Sequence, residues 1–309
     1  MSYSSDAKNE ICQYPLESST EALLELAGLG RLCGRYEDGE EIIFRFISES
    51  ECVLDRVQKL IFFLYQVEGE KEDFENQHAE KKIAAIILKE EVMHQFFEET
   101  FQDLDGSFLT SKQRLLSRLE KPSHAKAYLR GAFLGGGSIV DPMKSYHLEL
   151  VAQGLEDVLL IEYVFSILGI PVKTMKRRDQ YVLYLKDSAS IADLLVDLGA
   201  MKAMLALENA KAMKDIRNDM NRKVNAETAN IDKQITAAAK QIQAIQAALK
   251  KGRLDRLPKH LQEIAKLRCA YPSLSLAKLG EKLEPPLSKS GVSHRIRKLM
   301  ELLENIEHN

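Results

Sequence analysis

No apolar run in this chain approaches the ~20 residues needed to cross a bilayer. The densest, Leu60-Ile61-Phe62-Phe63-Leu64-Tyr65, has six. The opening Met1-Ser2-Tyr3-Ser4-Ser5-Asp6 is polar and lacks the apolar centre of a signal peptide. A cytoplasmic location without membrane partners is therefore expected. Cysteine is scarce as well: Cys12, Cys33, Cys52 and Cys269 are scattered over 309 residues, with no C-x-x-C pair and no matching histidine cluster. That distribution excludes a zinc knuckle or a disulfide framework and predicts reduced, metal-free thiols. His78, His94, His124 and His147 stand apart from ligand-type neighbours. No Ser/His/Asp set, Walker loop or dinucleotide fingerprint is present. Gly135-Gly136-Gly137 follows a predicted helix rather than a strand, the reverse of a phosphate cradle. No cofactor and no small-molecule substrate are indicated.

What the chain does have is an uneven charge. The net value of -3 divides into 13 basic and 25 acidic residues over 1–120, and 30 basic and 21 acidic residues beyond. A polyanion would be repelled by the first stretch and attracted by the second. Nucleic-acid contact is thus expected toward the C-terminus.

Hydrophobic periodicity predicts a helix over 19–33, with Ser18, Ser19 or Thr20 as cap and Gly34 beyond its end. A turn at Glu37-Asp38-Gly39, a strand over 42–47, a helix over 51–65, a strand over 82–88 and a helix over 90–103 follow. The order then recurs: helix 123–134, strands 138–140 and 146–152, helix 155–168, strands 172–176 and 181–185, helix 190–198. Only residues 66–80, with the acidic run Glu68-Gly69-Glu70-Lys71-Glu72-Asp73, give a weak strand signal. The expectation is an α+β domain duplicated as αββαββα over 1–200, with repeats at about 19–105 and 123–198. Residues 201–252 are rich in Ala, Lys, Gln and Met, without proline and with glycine only at Gly252. They are predicted to form one or two linker helices, broken near Asn225 if anywhere.

Residues 253–309 read as an all-α helix-turn-helix domain. A helix over 259–271 turns Leu261, Ile264, Ala265 and Leu267 inward, and Ser275 caps a short helix over 276–283. Glu284-Pro285-Pro286-Leu287 makes the turn, and a last helix covers 289–305. There Val292, Ile296, Leu299 and Leu303 repeat at four and three and so face the core. Lys289, Ser290, Ser293, His294 and Arg297 are left outward near the helix start, where short polar and basic side chains suit major-groove reading. Arg295 and Lys298 at the flanks suit phosphates. The segment carries 11 basic and 7 acidic residues. Lys173, Lys176, Arg177 and Arg178, around one hairpin of the second repeat, are further candidates for phosphate contact.

Two stretches share a helix-then-glycine pattern 103 positions apart (129 − 26): Leu26-Ala27-Gly28-Leu29-Gly30-Arg31-Leu32-Cys33-Gly34 and Leu129-Arg130-Gly131-Ala132-Phe133-Leu134-Gly135-Gly136-Gly137. Mid-helix glycine costs roughly 1 kcal/mol against alanine. Gly28 and Gly131 therefore imply two helices packed backbone to backbone. These stretches resemble the paired LAGLIDADG helices of homing endonucleases. That resemblance places the metal-holding carboxylates just before the final glycine of each motif, where this sequence has Cys33 and Gly136. A thiol is a poor ligand for Mg²⁺ and glycine offers none. A nuclease would need displaced carboxylates, for which Glu25 and Asp141 are the candidates.

The chain as a whole resembles the WhiA family of bacterial regulators. The resemblance rests on Ser4–Cys12, on Arg130–Ile139 with Tyr146-His147-Leu148-Glu149, and on Arg217-Asn218, Asn221-Arg222, Val224-Asn225 and Glu227-Thr228-Ala229-Asn230. It implies a degenerate, non-catalytic LAGLIDADG domain joined to a helix-turn-helix that binds double-stranded DNA. It further implies transcription control in sporulation, cell division and chromosome segregation, a nucleoid-associated location, and a sigma factor, RNA polymerase or a co-regulator as protein partner. A factor acting mainly through protein contacts is the alternative.

Overall fold

A computed structural model describes residues 2–38, 42–74, 83–100 and 115–307. The chain divides into two compact units, Met1–Lys214 and Asp215–Asn309.

In the first unit, α1 (Tyr3–Ile11) precedes α2 (Ser19–Cys33), whose first turn is capped by the Ser18 hydroxyl accepting from Glu21 N. Strands β1 (Gly34–Asp38) and β2 (Ile42–Ser48), α3 (Glu51–Tyr65), β3 (Glu70–Phe74), β4 (Ile83–Leu88) and α4 (Glu90–Thr100) complete the first copy. The second copy runs α5 (Pro122–Gly136), β5 (Gly137–Ile139), β6 (Leu148–Ala152), α6 (Leu155–Ile167), β7 (Lys173–Arg177), β8 (Gln180–Leu185) and α7 (Ser188–Leu198). Both sheets are antiparallel and share one topology, β1-β2-β4-β3 and β5-β6-β8-β7. The duplicated α+β architecture is thus seen strand by strand. Gly39, His78, Lys82 and the 101–105 end of the first repeat lie outside the described residues.

The short helix expected over 276–283 ends at Gly280, and three other elements differ from the periodicity reading. Residues 70–74 do form a strand, β3, paired with β4 at one sheet edge. Edge strands tolerate charge, and Arg45 of β2 ion-pairs with Glu72 at 3.0 Å and with Glu37, so the carboxylates on this face have a cation between them. Helix α5 continues through Gly135 and Gly136 rather than stopping at Leu134, because those glycines still lie against α2: a Cβ on Gly135 would meet Leu29 O at 3.1 Å. Finally, α8 (Met201–Lys250) is one unbroken helix with no interruption near Asn225. With neither Pro nor Gly among its 50 residues, nothing removes a backbone hydrogen bond.

The start of α8 belongs to the first unit. Glu10 accepts from Lys202 N at 2.8 Å and Ala203 N at 3.2 Å, capping donors that have no partner within the helix. Ala203 and Leu207 are buried in the first core. The second unit packs Ile245 and Ala248 of α8 with α9 (Lys259–Ala270), α10 (Leu276–Gly280) and α11 (Lys289–Glu307). Its core holds Leu261, Ile264, Ala265, Leu279, Leu283, Val292, Ile296, Leu299 and Leu303. Gly280 lets the turn close: a Cβ there would stand 2.1 Å from Leu287 O, and Leu287 N donates to Gly280 O at 3.0 Å.

Candidate nucleic-acid interface

The helix pair α2/α5 is built on small residues. A Cβ on Gly28 would lie 2.2 Å from Tyr128 O, and one on Gly131 would lie 1.8 Å from Glu25 O. Only glycine fits at either point. Near the C-terminal ends of these helices stand Cys33 and Gly136. The Cys33 thiol donates to Leu29 O at 3.2 Å, is buried, and is pushed up to about 12, mainly by that burial. Space beside Gly136 is closed by Val151 O, which a Cβ would meet at 2.8 Å. The ammonium of Lys8 adds a positive charge nearby, donating to Leu134 O at 2.9 Å; burial holds its pKa below the ordinary lysine value. A neutral thiol, a bare α-carbon and a lysine form no donor set for a divalent cation. The residues do not fit the metals of an active nuclease.

Displaced carboxylates do not supply what is missing. Glu25 is 1% exposed and is gripped by Arg56 through Nε at 2.7 Å and Nη2 at 2.9 Å, with Arg130 Nη1 at 3.2 Å. Its oxygens face guanidinium groups, so they would meet a cation only after two ion pairs broke. Asp141 lies on an exposed turn, where one of its oxygens accepts from Met143 N at 2.8 Å. Sequence reading singled out Glu25 only as a metal-ligand candidate. The signal for its actual partners, a carboxylate in the apolar run Leu23-Leu24-Glu25-Leu26-Ala27, was a demand for buried counter-charge.

On α11, at 3.6 residues per turn, the buried Val292, Ile296, Leu299 and Leu303 form one stripe. Lys289, Ser290, Ser293, His294, Arg297 and Lys298 are exposed on the other side, and Arg295 is half-buried beside the stripe. The structure brings these side chains together along the first turns of one helix, following the Gly280–Leu287 turn. Ser290 shares a hydrogen bond with Ser288 at 2.9 Å. Arg297 meets Glu301 at 3.9 Å with both largely in solvent, a contact too exposed to hold the guanidinium against a better anion. Glu301 was not noticed in the sequence; its i,i+4 spacing from Arg297 was the available sign.

The hairpin cations belong to the first unit. All of β7 is exposed, and Arg178 occupies the turn in a left-handed conformation, φ 57°. Arg177 lies 3.7 Å from Glu149, and the Lys176 ammonium is 5.7 Å from the Tyr181 ring centre. Lys173, Lys176, Arg177 and Arg178 thus form a basic rim of the second sheet. The corresponding edge of the first sheet, β3, carries Glu70, Glu72 and Asp73.

Residues 125–217 match the family model of the WhiA LAGLIDADG-like domain, and residues 220–303 match that of the WhiA C-terminal HTH domain. The probable cell division protein WhiA of Clostridium perfringens (strain 13 / Type A) is 36% identical, over 99% of this chain and 98% of the relative. Its counterpart in Thermoanaerobacter pseudethanolicus is 37% identical, again over 99% and 98%. The crystal structure of full-length WhiA from Thermatoga maritima superimposes with a TM-score of 0.60 at 23% identity, over 99% of both chains, which establishes a shared fold.

Proposed function

Because the chain belongs to the WhiA family, we propose that it is a DNA-binding transcriptional regulator of cell division that does not cut DNA. Sporulation and chromosome segregation are the further processes that family resemblance attaches to it. The observation that carries this reading is the outer face of α11. It is polar and basic at the N-terminal end of a helix whose opposite stripe is fully committed to the core. In that geometry Lys289, Ser290, Ser293, His294 and Arg297 read base edges, while Arg295 and Lys298 hold phosphates. The basic rim of β7 adds a sequence-independent phosphate contact. Residues 1–200 serve as a non-catalytic scaffold, 201–252 as linker and 253–309 as the reader. The proposed site of action is the nucleoid in the cytoplasm, with a sigma factor, RNA polymerase or a co-regulator as protein partner. No metal or cofactor takes part.

The experiment is a salt series of fluorescence anisotropy on a recovered operator duplex and a scrambled one. Log affinity is expected to fall linearly with log salt. Arg297→Ala should cost about 1–3 kcal/mol on the operator and narrow its advantage over the scramble, whereas Lys298→Ala weakens both alike and lowers the salt slope by about one. Affinity that ignores salt and both substitutions would instead favour a protein-contact role for the last domain.

A further inference from the structure

Within the second unit, α8 between Ile231 and Gln241 and the connection from α9 to α10 line an open-sided cavity of about 470 Å³. Its walls are largely apolar, from Ile231 and Ile235 on one side and Leu274 and Leu276 on the other. Into this lining comes Arg268, only 3% exposed. Its Nη1 donates to Leu274 O at 2.8 Å, but Nε has no hydrogen-bond partner and no carboxylate among the described residues pairs with the group. Burial alone pulls its pKa down, with no anion acting in the other direction. The Oε1 of Gln241, in the same lining, is likewise buried without a partner.

A buried guanidinium is ordinarily paired, because desolvating an isolated charge is strongly unfavourable. Ligand sites are typically apolar clefts of roughly 300–1,000 Å³ with a few convergent polar groups. Both conditions meet at Arg268. We propose that this cavity binds a small amphipathic monocarboxylate, its carboxylate paired with Arg268 and its apolar body against the isoleucine and leucine walls. One guanidinium in greasy surroundings matches a single negative charge. The other polar residues of the lining, among them Lys233, Gln234, Ser273 and Ser275, are exposed or half-buried, so Arg268 is the one buried cation there. Leu276 opens α10 and Ser275 caps it, so an occupant would touch the helix that precedes the recognition turn.

The test uses the full chain and saturation-transfer NMR with octanoate and octanol, with inorganic phosphate added as a competitor of octanoate. Octanoate is expected to bind saturably in the micromolar to millimolar range, with octanol and phosphate at least tenfold weaker. Arg268→Gln should weaken octanoate at least tenfold. Ile235→Trp fills the cavity without touching Arg268 and should abolish binding; its site on an exposed helix face keeps the test available if Arg268→Gln fails to fold. No saturable octanoate signal, equal binding of octanol, or octanoate binding indifferent to Ile235→Trp would each overturn the proposal.

Discussion

Glu25→Ala is expected to destabilise the first unit by about 3–5 kcal/mol, enough to threaten folding in a domain of ordinary marginal stability. The carboxylate is the shared partner of two guanidiniums that are themselves 2% and 3% exposed. Arg56 spans from α3 to Glu25 and also donates to Tyr14 O at 2.5 Å. Arg130 reaches Leu198 O at 3.2 Å and lies 3.5 Å from the centre of the Tyr14 ring. One charge cluster thus joins α2, α3, α5, the end of α7 and the segment after α1. Without the carboxylate, two positive charges stay buried with no counter-charge, and their remaining carbonyl acceptors satisfy hydrogen bonds but not charge. Glu25→Gln preserves volume and should still lose most of that stability. The triple change Glu25→Met, Arg56→Leu, Arg130→Met removes the charges together and should recover much of the loss. Urea denaturation followed by circular dichroism distinguishes these outcomes. A Glu25→Ala chain within about 1 kcal/mol of the parent would show that the cluster contributes little to stability.

Gly131→Ala should have an effect of similar size for a different reason. Alanine favours a helix over glycine by about 1 kcal/mol, so propensity alone predicts stabilisation. The new methyl, however, would sit 1.8 Å from Glu25 O and 2.9 Å from Leu29 N. Both are backbone atoms of the facing helix and have no rotamer with which to yield. The helices must separate along their contact, which also disturbs the Glu25 cluster at that same point. The net expectation is a loss of about 3 kcal/mol or more, at or beyond the upper end for overpacking. Gly28→Ala, with its Cβ 2.2 Å from Tyr128 O, should behave alike. Gly154→Ala is the control: its Cβ meets only Asp157 Oδ2 at 3.4 Å, and its melting temperature should move little. If Gly131→Ala melts with the parent, the close backbone approach is not present in solution.

Much of this architecture could be read from spacing. The bounds 19–33 and 51–65 emerged from apolar periodicity and caps, and α2 and α3 occupy those residues. Val292, Ile296, Leu299 and Leu303 were assigned to the core by their four-three repeat and are buried. Strand β3 was faint because an edge strand of Glu, Lys and Asp has no alternation to detect. Whether residues 201–252 form one helix or two is open in the sequence; Asn225 lowers helix propensity by only a few tenths of a kcal/mol and does not interrupt the hydrogen-bond ladder of α8. The partners of Glu25 were invisible because Arg56 and Arg130 lie 31 and 105 positions away. Nothing in the local spacing around Arg268 marks it as buried, because the segment that covers it, Ile231 to Gln241, lies about thirty positions away. Periodicity locates which face is buried; it does not say which charges meet there.

Sequencing the DNA retained by the full chain from a random duplex pool in Mg²⁺ tests the central claim most directly, with Arg297→Ala run in parallel. One motif should be enriched and its strands recovered whole, and the variant should lose or relax that motif. Strands cut at a fixed position, or the same motif recovered with equal strength by Arg297→Ala, would contradict the assignment of reading to α11 and of scaffolding to the duplicated domain.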